Sequence, residues 1–172
     1  MFYKYVYFLG EGVGDLYIKA VCGLSSETYS IMDYWYNGTT EYSSETTLNV
    51  SLPSAFKLTF DFKPTDRSTS SGGNSTYIRL GESSSTGIWV GQGTSGGYHG
   101  LMVRPSTNHW CNSLSNTGVW NSVECTFDGS TLTYTCNNES VSVTTTSSTL
   151  SKINGVVPTS KAHLRNIRVI KL

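Results

Sequence analysis

Apolar residues recur along this chain at every second position, and no segment sustains the three-and-four spacing of an amphipathic helix. FKLTFDFK puts Phe56, Leu58, Phe60 and Phe62 on one face and Lys57, Thr59 and Asp61 on the other. TYIRLG sets Ile78 and Leu80 against Tyr77 and Arg79. GIWVG sets Ile88 and Val90 against Trp89, and GLMVRP sets Leu101 and Val103 against Met102 and Arg104. VECTFDGSTLTYTC alternates through Val123, Cys125 and Phe127, turns at Asp128-Gly129, and returns through Leu132, Tyr134 and Cys136. Asp-Gly between two alternating runs is a strong hairpin signal. SVSVTTT and the C-terminal AHLRNIRVIKL add two more strands. A pleated strand points successive side chains to opposite faces, so these runs predict many short strands, each with one buried face. Short strands divided by turn residues predict an all-β fold, a two-sheet antiparallel sandwich or jelly roll, and not a βαβ architecture.

The punctuation agrees. DRSTSSGGNST and GESSSTG are polar and read as exposed loops, the first long enough to form a mobile or ligand-side rim. Residues 1–32 fit the alternation least well and read as extra strands or as a connection from a preceding domain. A length of 172 residues suits one domain with one core, taken here as 1–172.

Composition narrows the function classes. Charged residues make up 14% of the chain and the formal net charge is zero, so there is no basic stripe to neutralise phosphates and no nucleic-acid partner is expected. The chain is rich in Ser, Thr, Asn and Gly, which often means disorder, but eleven Tyr and four Trp argue for a folded β-domain with hydroxyl-rich outer faces. No apolar run is long enough to span a membrane, so no membrane insertion is expected. Glu11 and Asp15 interrupt the N-terminal apolar run before any cleavage site, so no secretory signal is expected. Its absence suggests a virion protein, or a domain expressed apart from its exporting sequence.

Four cysteines, Cys22, Cys111, Cys125 and Cys136, fit neither zinc-ribbon nor CxxC spacing. A two- or three-residue loop at Asp128-Gly129 sets Cys125 opposite Leu132 or Thr133, and Cys136 opposite Asn121 or Ser122. The two are then not cross-strand partners, and buried free thiols are expected.

The series FKLTFDF, YIRLG, GIWVG, GLMVR, GVWNSVECTFDGSTLTYTCNN and HLRNIRVIKL resembles concanavalin-A-like and laminin-G-like jelly rolls over residues 33 to 172. The carrying motif is Gly118-Val119-Trp120-Asn121, an alternating strand, Asp128-Gly129, and a second alternating strand ending in Asn137-Asn138. The resemblance implies that Trp120 packs into the core. It also implies a binding domain of the kind found in phage fibres and microbial surface proteins. Its partner would be a glycan or host-surface receptor, its neighbours other virion or surface-protein subunits, and a fibre would make it a homotrimer. Its location would be the virion or the cell surface. The fold hosts lectins, glucanases, adhesion domains and structural parts, so it does not choose among them.

The glucanase branch of this fold carries its carboxylates as Glu-x-Asp-x-x-Glu, and no Glu here is followed two residues later by Asp, so no enzyme is expected. His99, His109 and His163 sit in no nucleophile motif and lack metal-ligand spacing, so no catalytic residue, cofactor or metal is assigned. Asp33, Asp61, Asp66 and Glu82 are acidic options for a rim calcium, without a supporting loop motif. Gly10-Glu11-Gly12-Val13-Gly14-Asp15 precedes strand formers and reads as a turn. Four Asn-x-Ser/Thr sequons, at Asn37, Asn49, Asn74 and Asn138, are no more than this abundance of Ser and Thr produces by chance.

The aromatic residues carry the functional expectation. Alternation in three consecutive strands places Tyr77, Arg79, Trp89, Met102 and Arg104 on one outward face. An exposed indole beside two guanidinium groups suits a polar, ring-shaped ligand, with the ring stacking and the Arg side chains donating hydrogen bonds. These five form the expected carbohydrate- or receptor-binding site. The alternatives are a purely structural capsid-decoration or fibre-head domain and, behind it, a degenerate glycoside hydrolase.

Overall fold

The computed structural model describes residues 18–19, 30–31, 33–38, 40–63, 76–83, 85–93, 98–104, 107–112, 118–158 and 163–172. Cys22, the Gly10–Asp15 run, Asp66, the Asn74 sequon and the loop over 64–75 lie outside the described residues. Among those described there is no helix.

Two six-stranded antiparallel sheets face each other as a jelly-roll sandwich. The first runs β12 (Glu139–Thr144), β11 (Thr131–Cys136), β10 (Asn121–Phe127), β5 (Phe56–Lys63), β14 (His163–Lys171) and β3 (Asp33–Tyr36). The second runs β4 (Thr46–Ser51), β13 (Lys152–Val157), β6 (Thr76–Leu80), β7 (Gly87–Gln92), β8 (His99–Arg104) and β9 (Asn108–Cys111). A separate two-residue pair joins β1 (Ile18–Lys19) to β2 (Ser30–Ile31).

The alternating residues meet between the sheets. Phe56, Leu58, Phe60 and Phe62 pack with Val123, Cys125, Phe127, Leu132 and Tyr134 of the first sheet against Ile78, Leu80, Ile88, Val90 and Leu101 of the second. Val103, expected in the same set, is only partly buried at the end of β8. Burial of this kind, at about 25 cal/mol per Å² of apolar surface, is the main force closing the sandwich.

The hairpin turns at Asp128-Gly129, in a register different from that expected. Phe127 pairs with Leu132, which places Cys125 opposite Tyr134 and Cys136 opposite Val123. The loop is longer than a two- or three-residue turn because the Asp128 carboxylate gathers it. Its Oδ1 accepts from the Ser130 and Thr131 backbone N–H groups, both at 2.8 Å. Those bonds hold the Asp128 carboxyl below the usual carboxylate range. Cys111, Cys125 and Cys136 are free thiols. A type of turn that strongly favours Asn follows, with Asn137 and Asn138 at φ 51° and 65° joining β11 to β12.

Two strands depart from strict alternation. The buried residues of β14 are Leu164, Ile167 and Val169, and the register shifts between Arg165 and Arg168. Asn166 sits in that bulge at φ 54°, left-handed for a residue inside a strand. Asn37 bridges the same irregularity, exchanging Asn37 N–H to Ile167 C=O at 3.1 Å with Ile167 N–H to its own Oδ1 at 2.9 Å. In β13 the register shifts between Ile153 and Gly155.

Trp120 is not in the core, contrary to the implication of the resemblance. Asn121 takes the inward position opposite Phe62 and is buried, so alternation turns Trp120 outward. Its ring lies under the Arg165 guanidinium at 3.8 Å and the Lys63 ammonium at 4.8 Å.

Candidate functional site

The outer face of the first sheet carries a groove of about 750 Å³. Its floor is made of the outward positions of β5 and β10: Thr59, Asp61, Ser122 and Glu124. One wall is Asn166 and Arg168 on β14 with Tyr36 on β3, and the other is Thr135, Asn137 and Asn138 on β11 and its turn.

Asp61 is the centre of this surface. Its Oδ1 accepts from the Ser122 hydroxyl at 2.6 Å and its Oδ2 from the Asn166 amide at 2.7 Å, with Arg165 Nε at 3.4 Å from the same oxygen. The bulge in β14 makes this possible: without the extra residue, Asn166 would not reach the outer face beside Asp61. A left-handed non-glycine residue costs roughly 1–3 kcal/mol, and such strain persists where the surroundings over-determine it. Here the Asp61 contact and the Asn37 clasp supply that constraint. Glu124, the second carboxylate, pairs with Lys57 Nζ at 3.0 Å. The Arg168 guanidinium lies 4.8 Å from the Tyr36 ring centroid. The groove is thus lined by carboxylates at Asp61 and Glu124, amides at Asn137, Asn138 and Asn166, the Arg168 guanidinium and the Tyr36 ring.

The five residues expected from alternation do share one face, the outer face of the second sheet. Arg79 pairs with Trp89 and Trp89 with Met102 in adjacent register, with Tyr77 and Arg104 one alternation away on either side. They do not form an open sugar platform. Met102 is 2% exposed and Tyr77 8%. Tyr77 stacks on Trp89 at 4.4 Å and 6°, and the Arg104 guanidinium lies 3.9 Å from the same ring. Tyr77 stands opposite Gly91 and Arg104 opposite Gly87, so they approach the indole from opposite ends of β7 and leave neither face for a ligand. Arg79 bonds Glu45 at 2.7 Å. This face is closed by its own side chains, although the Trp89 indole N–H and the Nε groups of Arg79 and Arg104 are buried without an acceptor.

In the sequence Asp61 stands out only as a calcium option, and Asn166 and Arg168 have no role beyond their place in the C-terminal strand. A signal was present: in Leu164-x-x-Ile167-x-Val169 the apolar spacing widens from two to three, marking a bulge.

No protein-family profile and no curated protein matches the chain. Among solved structures it is similar to a galectin of Caenorhabditis elegans, at 12% identity and a TM-score of 0.47, covering 75% of this chain and 94% of that one. It is also similar to the binding domain of botulinum neurotoxin DC, solved in complex with rat synaptotagmin II, at 8% identity and a TM-score of 0.46, covering 84% of this chain. The receptor-binding domain of botulinum neurotoxin mosaic serotype C/D matches at 12% identity and a TM-score of 0.44, covering 86% of this chain. The chain spans 46% of the length of each toxin chain.

Proposed function

We propose that this protein is a carbohydrate-binding module whose ligand lies in the groove over Asp61. The observation that carries the reading is the fixed polar constellation there: an Asn held left-handed inside a strand, its amide pinned to a carboxylate that also takes a Ser hydroxyl. Groups already ordered before a ligand arrives lower the entropic cost of binding. A sugar ring presents several hydroxyls, each donor and acceptor, and a groove with carboxylates, amides, a guanidinium and one ring matches that pattern. The low charge and hydroxyl-rich composition support a place on a virion fibre or a cell surface, with a glycan or glycosylated receptor as partner.

The reading is binding and not hydrolysis. Asp61 already serves Ser122 and Asn166, and Glu124 is paired with Lys57, so neither stands ready as an acid for a leaving group. A glycan array followed by calorimetry tests the proposal. One class of glycan should bind, and Asp61→Asn should lose it while keeping the wild-type circular dichroism. Binding that survives Asp61→Asn, or an array without any ligand, would overturn it, and turnover of the bound glycan would overturn the exclusion of hydrolysis.

A second reading retains the face around Trp89. Its three buried, unpartnered N–H groups favour an edge-on acceptor such as a sugar hydroxyl or a backbone carbonyl. Trp89→Phe removes only the indole N–H end of that array, and a ligand lost in this variant but kept in Asp61→Asn would transfer the site to this face.

A further inference from the structure

We infer that His99, Cys111 and Glu139 form a binding site for one thiophilic divalent cation, of the zinc type, at the edge where the two sheets meet. The site is separate from the groove and does not depend on it. His99 on β8 and Cys111 on β9 are directly paired and both face inward. Glu139 opens β12 in the opposite sheet, just past the Asn137-Asn138 turn. The imidazole, thiol and carboxylate ligand atoms all lie within 4.8 Å of one another. Tetrahedral bonds of about 2.0–2.3 Å place ligand atoms about 3.3–3.8 Å apart, so only a small contraction onto an ion is needed.

The hydrogen bonds around His99 prepare one nitrogen for a metal. Its Nδ1 meets the Tyr134 hydroxyl at 2.8 Å. With the proton on Nδ1, donated to that hydroxyl, Nε2 carries the lone pair that a cation needs. A second-shell hydrogen bond of this kind is what orients ligating histidines. His99 is fully buried, and its Nε2 has no hydrogen-bond partner. It faces the Glu139 carboxylate at 4.0 Å. The Glu139 Oε2 is itself held by the Asn112 N–H at 2.6 Å.

Charge favours the same ion. A divalent cation with one thiolate and one carboxylate is neutral, and neutrality matters where His99 and Cys111 are shut from water. Burial holds the His99 imidazole unprotonated at neutral pH, as a ligand requires, and burial together with Glu139 raises the Cys111 thiol. Cation binding therefore releases one proton, from Cys111. The Glu139 side chain, 40% exposed, is the way in. Three protein ligands leave a fourth position for water.

Cobalt(II) titration of the reduced, chelator-treated protein tests the inference. The expected result is one equivalent bound, with thiolate-to-cobalt absorption in the near ultraviolet that zinc abolishes by displacement. Cys111→Ser should remove that absorption, and Glu139→Gln, which keeps an acceptor for Asn112, should weaken affinity more than about tenfold, the lower bound for disturbing even an outer-shell partner. No thiolate absorption, or absorption that survives Cys111→Ser, would overturn the site. Should Cys111→Ser fail to fold, the half-exposed Glu139→Gln carries the test, and unchanged cobalt affinity there would overturn it.

Discussion

The two outer faces of this sandwich use similar residue types to opposite ends. On the second sheet, Tyr77, Trp89 and Arg104 stack on one another over the space left by Gly87 and Gly91, and Arg79 turns to Glu45. On the first sheet, Tyr36, Arg168, Asp61 and Asn166 line a groove of about 750 Å³. An aromatic beside arginines is therefore not evidence of a binding platform by itself. What separates the faces is whether the side chains close over one another or stand around a space. Stacking closes the one face. On the other, the bulge in β14 inserts an extra residue that aims Asn166 at Asp61.

The largest expected effect touches neither face. His99 lies between the sheets with its pKa lowered by burial from 6.5 to about 4. The unfolded chain then binds more protons than the native one between those values, so stability rises with pH across that window. Acidifying the metal-free protein from pH 7 to below 4 should cost roughly 3 kcal/mol through this group. Denaturant unfolding at several pH values should show the slope, and His99→Gln should flatten it.

Trp89→Ala should cost about 2–3 kcal/mol of stability, since it strips one ring from between two partners. Groove binding should stay unchanged. A glycan affinity that falls in this variant while the fold persists would erase the distinction between the faces. Asp61→Ala should lower glycan affinity by about 2 kcal/mol, near thirtyfold, as expected for loss of a charged acceptor, and it also leaves the Ser122 hydroxyl and the Asn166 amide without their partner. Calorimetry and thermal unfolding on the same two variants make the crossed comparison. The smallest effect belongs to the floor of the groove: Lys57→Ala breaks an exposed pair with Glu124 and should change stability by no more than about 0.5 kcal/mol. A larger loss would mean that Glu124 depends on Lys57 for its place.

Much of the core was legible because alternation and burial are the same fact seen twice. The run from Phe56 to Phe62 points its rings inward as read. Where alternation breaks, reading failed. The β13 strand, whose register shifts between Ile153 and Gly155, was not identified, nor was the polar β4, where Leu48 and Val50 are only partly buried against the core. The hairpin register slipped because one Asp side chain, bonding to three donors across its loop, lengthened the turn beyond what Asp-Gly alone implies.

By itself, then, the chain's period of two determined the fold class, the inward set and the membership of the five-residue face around Trp89, since each depends only on which side of a strand a residue points. What that side meets was decided in three dimensions. Strand pairing brings Tyr77 and Arg104 onto the two sides of Trp89, Asn166 onto Asp61 across 105 residues, and His99 and Cys111 to Glu139 across the sheet edge. These contacts join residues far apart in the chain, and no local spacing encodes them.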